Sequence, residues 1–251
     1  MISGLIGFLL MAIPATTVGA DSSATPVLLV ELEGGAVWQS RNDVQIPNDA
    51  TGTRFSLVDV IGKGPWPAMR LYATWNINKT HGLRLLLAPL SITERGELDA
   101  PVEFAGGSFL TGIPAEATYK FNSWRLTYRY RFHAGEHWRW WVGFTAKIRD
   151  AKIRLAQGTE AAEKTDVGFV PLLHIAGIRR IASHWAAEMD IDALAGGPGR
   201  AVDASLKLRY RFGDRWSVTG GYRTVEGGAD VDEVYSFAWL HYAVASANLA
   251  F

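Results

Sequence analysis

From residue 27 to the end, the chain alternates apolar and polar positions with period two. That is the spacing of a strand whose two faces meet different surroundings. The pattern predicts ten strands, near 27–40, 66–78, 82–92, 117–132, 138–153, 166–180, 184–195, 202–212, 216–226 and 234–251. In the first, Leu28, Val30, Leu32, Ala36 and Trp38 share one face, and Glu31, Glu33 and Gln39 share the other. In the second, Met69, Leu71, Ala73, Trp75 and Ile77 oppose Arg70, Tyr72, Thr74 and Asn76. The fifth sets Trp138, Trp140, Val142, Phe144 and Ile148 against Arg139, Thr145, Lys147 and Arg149. The seventh sets Trp185, Ala187, Met189 and Ile191 against Glu188, Asp190 and Asp192, and the eighth sets Leu206, Leu208, Tyr210 and Phe212 against Lys207, Arg209 and Arg211. The third and sixth alternate less cleanly, and would turn Leu86, Val170 and Leu172 inward.

One phrase repeats. Arg129-Tyr130-Arg131-Phe132 recurs as Arg209-Tyr210-Arg211-Phe212, each followed by a polar turn and a tryptophan, Trp138 or Trp216. An apolar, aromatic face opposite a charged one suits a strand with lipid outside and a polar lumen inside. The connections support this. Those around Asn78–His81, His133–His137, Ile181–Ser183 and Gly213–Arg215 are short, while the others are longer, notably 41–65 and 93–116. Tight turns at one end and larger loops at the other characterise an outer-membrane barrel, and an even strand number puts both termini at the periplasmic end. Phe132, Trp138, Trp185, Phe212, Trp216 and Phe251 mark an aromatic rim at that end. The predicted fold is all-β: a single closed antiparallel transmembrane β-barrel of about ten strands, with eight as the alternative.

Composition adjusts this picture modestly. Lys+Arg and Asp+Glu are equal at 25 each, which argues against bulk attraction to nucleic acid. There are no cysteines, as suits export through an oxidising compartment, and ten tryptophans suit interfacial anchoring. Residues 1–20 carry a short apolar run, Leu5 to Ile13, and a small-residue site at Val18-Gly19-Ala20. They predict a signal peptide, although Lys and Arg are missing from its start. No later segment is apolar for the roughly 18 residues a spanning helix needs. A chain that spans without helices spans as a closed barrel.

Over residues 21–251 the chain resembles the small outer-membrane β-barrel proteins of Gram-negative bacteria. The terminal strand carries the most specific part of the resemblance, with Phe237, Trp239, Leu249 and Phe251 on one face. His241, Ala243, Ala245 and Ala247 share that face and are less bulky than the pattern expects. The resemblance implies that Phe251 is an assembly signal read by the barrel-assembly machinery. It also implies an outer-membrane location, with outer-membrane lipid and lipopolysaccharide as partners.

Candidate chemistry starts with the inward charges. Arg125, Arg129, Arg131, Arg139, Lys147, Arg149, Lys207, Arg209, Arg211 and Arg223 are expected in the lumen with Glu31, Glu33, Glu188, Asp190 and Asp192. In a barrel this narrow such side chains read as a salt-bridged plug. Arg209 and Arg211 are expected to pair with the acids of the adjacent seventh strand. A charge-tuned solute channel is the alternative. Lys147, Arg149, Lys152 and Arg154 sit near the predicted outer rim, where they could hold lipopolysaccharide phosphates, or be solvated. Glu226, Asp230, Asp232 and Glu233 offer hard oxygen ligands without the spacing of a calcium loop. Six histidines open an enzyme reading, but neither Asp-Asp nor His-Asp occurs, and there is no His-x-Ser. His174 is expected to face the lumen, too far from Asp166 for a hydrogen bond. No cofactor or metal is expected. The function expected is structural or surface-interaction, through loops 41–65 and 93–116. A small-solute channel and a lipid-directed enzyme remain as alternatives.

Overall fold

A computed structural model describes residues 26–197 and 199–251, so the signal peptide expected at 1–20 lies outside the described residues. Ten strands close the wall: β1 (Leu28–Gln45), β2 (Trp66–Asn76), β3 (His81–Ala88), β4 (Ala115–Ala134), β5 (Trp138–Gln157), β6 (Glu160–Arg180), β7 (Trp185–Gly196), β8 (Gly199–Phe212), β9 (Trp216–Val231) and β10 (Val234–Ala250). Each pairs antiparallel with its neighbour in sequence, and β10 returns to β1 from Leu29↔Ala250 to Gln45↔Tyr235. Closure leaves no open edge, which lipid could not tolerate. After a break at Pro89-Leu90, the short strand Ser91–Gly96 continues β3 along β4.

The alternation seen in sequence becomes an inside and an outside. Leu32, Met69, Trp75, Leu126, Tyr128, Phe144, Phe169, Leu173, Leu206 and Leu208 are among the large apolar side chains exposed on the outer face, while Leu86 and Leu172 turn inward and are buried. Apolar surface of this extent belongs in lipid. Phe132, Trp138, Trp185, Phe212, Trp216 and Phe251 are exposed at the short-turn end. The turn after Phe212 places Gly213 at φ 81°, a conformation glycine adopts without Cβ strain.

Two features differ from expectation. Residues 154–165, 196, 199–201 and 227–233 are mostly strand rather than loop, because β5 with β6, β7 with β8, and β9 with β10 run on as long hairpins past the apolar belt. The two longer loops do not reach outward; they fold into the barrel mouth. Residues 57–61 form a helix, α1 (Leu57–Ile61), capped by Ser56 Oγ, which accepts from the Val58 N–H at 3.2 Å. Strands Val102–Phe104 and Gly107–Phe109 form a small hairpin. Leu57, Val60, Ile61, Val102, Phe104 and Phe109 then pack with Val37, Val44, Leu155 and Leu240 of the wall into one buried apolar cluster. In the rim of the first loop, Asp49 accepts from the hydroxyl and N–H of Thr51, which lowers its carboxyl pKa.

Candidate functional site

Beneath the apolar cluster the lumen is charged. Glu33, on β1, and Asp203, on β8, lie at its centre, 1% and 3% exposed. Asp203 accepts from three guanidinium groups: Arg223 at 2.5 Å, Arg125 at 2.7 Å and Arg70 at 3.0 Å. Glu33 meets Lys207 at 2.9 Å and Arg223 at 3.2 Å, and Lys207 also reaches Glu31 at 2.5 Å. Asp192 accepts from Arg125 at 2.9 Å and Thr145 at 2.8 Å. Arg84 grips both oxygens of Asp190, at 2.5 and 2.9 Å. Glu31, Glu33, Asp190, Asp192 and Asp203 thus balance Arg70, Arg84, Arg125, Lys207 and Arg223. Burying so many charges is tolerable only because each is met by opposite charge and hydrogen bonds.

The adjacent-strand pairing expected for Arg209 is present, with Glu188 of β7, but that expected for Arg211, Asp190 and Asp192 is not. The position opposite Asp190 is Ser205, and the position opposite Asp192 is Asp203. These acids therefore look across the lumen for partners, to Arg84 on β3 and Arg125 on β4. Arg209 pairs with Glu188 at 2.7 Å, and Arg211 donates to the Ser183 carbonyl at 3.3 Å. Arg129 stands 5.0 Å from the Trp141 ring and Arg139 6.0 Å from it. Arg131 lies with them on the wall of a cavity of about 990 Å³ that opens among the short turns. The cavity reaches up to Arg84, Asp190, Lys207 and Arg223, where the charge network forms its roof.

The four residues considered for lipopolysaccharide divide between the two faces. Lys147 is buried in the lumen, 4.7 Å from the Phe121 ring, and Arg149 is ion-paired there with Asp166. Lumenal side chains cannot touch lipid. Lys152 and Arg154 do face outward, beside Glu163 at 3.9 Å and Glu116 at 3.7 Å. The acids considered for calcium are spread along a hairpin: Glu226 holds Arg200 at 2.5 Å, Asp230 accepts from Asn48 at 2.8 Å, and Glu233 lies 3.4 Å from Lys164.

His174 faces the lumen, but its partner is Asp192, directly across on β7, at 2.8 Å from Nδ1. With Asp190 these groups lie within 4.8 Å of one another, close enough in principle for a metal ion. The carboxylates are already saturated by Arg84, Arg125, Thr145 and His174 itself. A dication would have to sit between two guanidinium groups, so the arrangement is a charge-balanced node rather than a cation site. Asp203, Arg70 and Arg84 were not singled out as site residues from the sequence. Arg70 was legible as inward-facing; Asp203, one position into its predicted strand, had little alternation on its left to place it.

No family model and no curated protein matches the chain. Solved structures of outer-membrane barrels do. Outer membrane protease OmpT from Escherichia coli is 9% identical, with 92% of this chain and 100% of that chain covered and a TM-score of 0.50. Neisserial surface protein A is 11% identical over 89% and 97% of the two chains, TM-score 0.37. Ail, the attachment invasion locus protein of Yersinia pestis, is 10% identical over 88% and 97%, TM-score 0.37. At these identities the similarity is one of fold: this chain has the fold of an outer-membrane β-barrel.

Proposed function

We propose that the protein is a sealed barrel of the Gram-negative outer membrane, one that works on its outward surfaces rather than through its lumen. The observation that carries this reading is the double closure. An apolar cluster that includes Leu57, Phe104 and Phe109 fills the mouth, and the network around Asp203 and Glu33 fills the middle. The cavity below is lined by residues of the short turns at one end and by members of the charge network, Arg84, Asp190, Lys207 and Arg223, at the other. Ions would have to break either close packing or several charge-assisted bonds to pass. The lipid-facing belt supports the location. The loops expected to make surface contacts are spent largely on the plug, so the outer hairpins and the wall itself remain.

The test is planar-bilayer recording with purified, refolded protein that shows the gel shift of a folded barrel before and after boiling. No steady conductance is expected. A stable open channel would replace this reading with the small-solute channel. A second reading, lipid-directed chemistry, is favoured by a separate observation on the outside of the wall.

A further inference from the structure

One chain of hydrogen bonds lies on the lipid-facing side of the wall, away from the lumen. Ser40 Oγ is 2.8 Å from His241 Nε2, and His241 Nδ1 is 2.5 Å from the Tyr222 hydroxyl. The three residues come from β1, β10 and β9, neighbours where the barrel closes. Trp38 is directly across from His241, their rings 5.9 Å apart, and Trp239 lies 5.4 Å from the same imidazole.

A β-bulge puts Ser40 there. The register passes from Gln39↔Leu240 to Arg41↔Trp239, which leaves Ser40 as the extra residue. Bulges re-aim side chains and release the extra residue from the ladder. Gln39 stays buried in the lumen while Ser40 is exposed outside. The hydroxyl lies 3.5 Å from the Trp239 carbonyl against 2.8 Å from the imidazole, so the ring nitrogen is the better acceptor of its proton.

The height of this group matters. His241 and Phe251 share the outward face of β10, ten residues apart. At about 3.3 Å per residue and a tilt of about 40°, His241 stands about 25 Å above the inner rim, the height of a barrel's apolar band. The ester carbonyls of outer-leaflet lipids lie at that boundary. Just above it, Arg41 and Arg200 flank the Phe237 ring at 5.5 and 5.1 Å and mark the headgroup level.

We propose that Ser40 and His241, with Tyr222 as positioning residue, form a site that hydrolyses acyl esters of phosphate-bearing lipids in the outer leaflet. The Nδ1–H donates a hydrogen bond to the Tyr222 hydroxyl oxygen, which leaves the Nε2 lone pair facing Ser40. Ser40 Oγ attacks the ester carbonyl and its proton passes to Nε2. The carbon–oxygen bond to the lipid breaks, and Nε2 returns the proton to the departing alcohol. Water then attacks the acyl-serine, again through Nε2, and releases a fatty acid and the free hydroxyl of Ser40. An ester and a water become an acid and an alcohol, with no other reactant. This is the nucleophile–base–orienter logic known from several unrelated folds.

His81 offers an internal control. Its Nδ1 lies 2.7 Å from the Tyr128 hydroxyl near the short-turn end, so a His–Tyr pair alone is a feature of the girdle. What sets His241 apart is a serine on the second ring nitrogen.

The proposal rests on the barrel sitting in a lipid bilayer but not on its lumen being closed, so conductance and hydrolysis fail separately. The test uses folded protein in two vesicle preparations. One contains phosphatidylethanolamine and phosphatidylglycerol; the other also contains lipid A. Released fatty acid is read by mass spectrometry, and Ser40 by labelling with a fluorophosphonate probe. Release from one or both lipids with Ser40 labelled is expected, and the vesicle that yields product identifies the source. Ser40→Ala and His241→Ala should fall to background, and His81→Ala should be unchanged. Tyr222→Phe should lower kcat about tenfold, the worth of one hydrogen bond, with KM unchanged. Every variant must retain the gel shift of the folded barrel. The proposal is overturned if folded wild type releases no fatty acid from either vesicle and Ser40 is unlabelled, or if release survives Ser40→Ala.

Discussion

Asp203→Ala should be the most costly single change in the lumen. The carboxylate is 3% exposed and serves Arg223, Arg125 and Arg70 at 2.5, 2.7 and 3.0 Å. Its loss does not orphan all three equally. Arg223 keeps Glu33 at 3.2 Å and Arg125 keeps Asp192 at 2.9 Å, whereas the nearest remaining carboxylate for Arg70 is Glu33 at 3.9 Å. One guanidinium is left poorly met in a place nearly closed to water. Breaking a buried pair in this way costs about 3–5 kcal/mol, or about two to three and a half orders of magnitude in the folding equilibrium at about 1.4 kcal/mol per factor of ten. Asp190→Ala should cost less, about 2 kcal/mol, because Arg84 and Asp190 border the cavity and are 11% and 20% exposed. Lys152→Ala removes only an exposed contact of 3.9 Å and should change stability by about 0–1 kcal/mol. Urea unfolding of the refolded barrel in lipid, followed by tryptophan fluorescence and by gel shift, ranks the three. Asp203→Asn, which keeps the volume, separates charge from packing. If Asp203→Ala shifts the midpoint no further than Lys152→Ala, the network does not hold the lumen together.

Phe104→Ala empties a fully buried position in the mouth and should destabilise the plug by about 3–5 kcal/mol. Proteolysis within residues 89–114 should then speed up while the wall stays protected, and cleavage rates unchanged from wild type would show that the apolar cluster does not pin that loop. Deleting Phe251 should slow insertion in cells and increase periplasmic degradation, whereas Ser246→Ala should not. Equal insertion of the two variants would remove the assembly role given to that residue.

The wall was legible in the sequence because strand parity is a local property. Leu206, Leu208, Tyr210 and Phe212 face out and Lys207 and Arg209 face the lumen as their alternation requires. Pairing between adjacent strands, as for Arg209 with Glu188, was legible; pairing across the lumen was not, because it depends on which residues meet across a closed ring. Asp190 sits opposite Ser205, and only barrel geometry brings it to Arg84, 106 residues away. The loops misled for a related reason. Residues 41–65 and 93–116 contain apolar residues such as Leu57, Ile61, Phe104 and Phe109, which have no periodicity of their own to show what they cover. The outer group shows both sides of this limit. Ser40 shares the parity of Trp38, and His241 that of Trp239, so each was readable as outward-facing. The bulge that brings them to 2.8 Å is a property of closure between the first and last strands, 201 residues apart.

Why polar side chains should occupy that part of the wall is a question of cost. On a lipid-facing surface every polar group must find a partner within the protein, and an ionisable one is expensive enough to suggest a function. The same face shows what packing alone accepts, since Ala36, Ala243, Ala245 and Ala247 line it below His241. A small apolar residue at position 40 or 241 would need no hydrogen bond. The chain instead places a bulge at Ser40, joins its hydroxyl to one nitrogen of an imidazole, and joins the other nitrogen to a tyrosine hydroxyl. In the lumen, where charges are also costly, acids and bases cancel and the product is rigidity. On the outer wall the three groups carry no formal charge to cancel, their bonds run in one direction from hydroxyl to imidazole to phenol, and the end that faces the leaflet is a nucleophile.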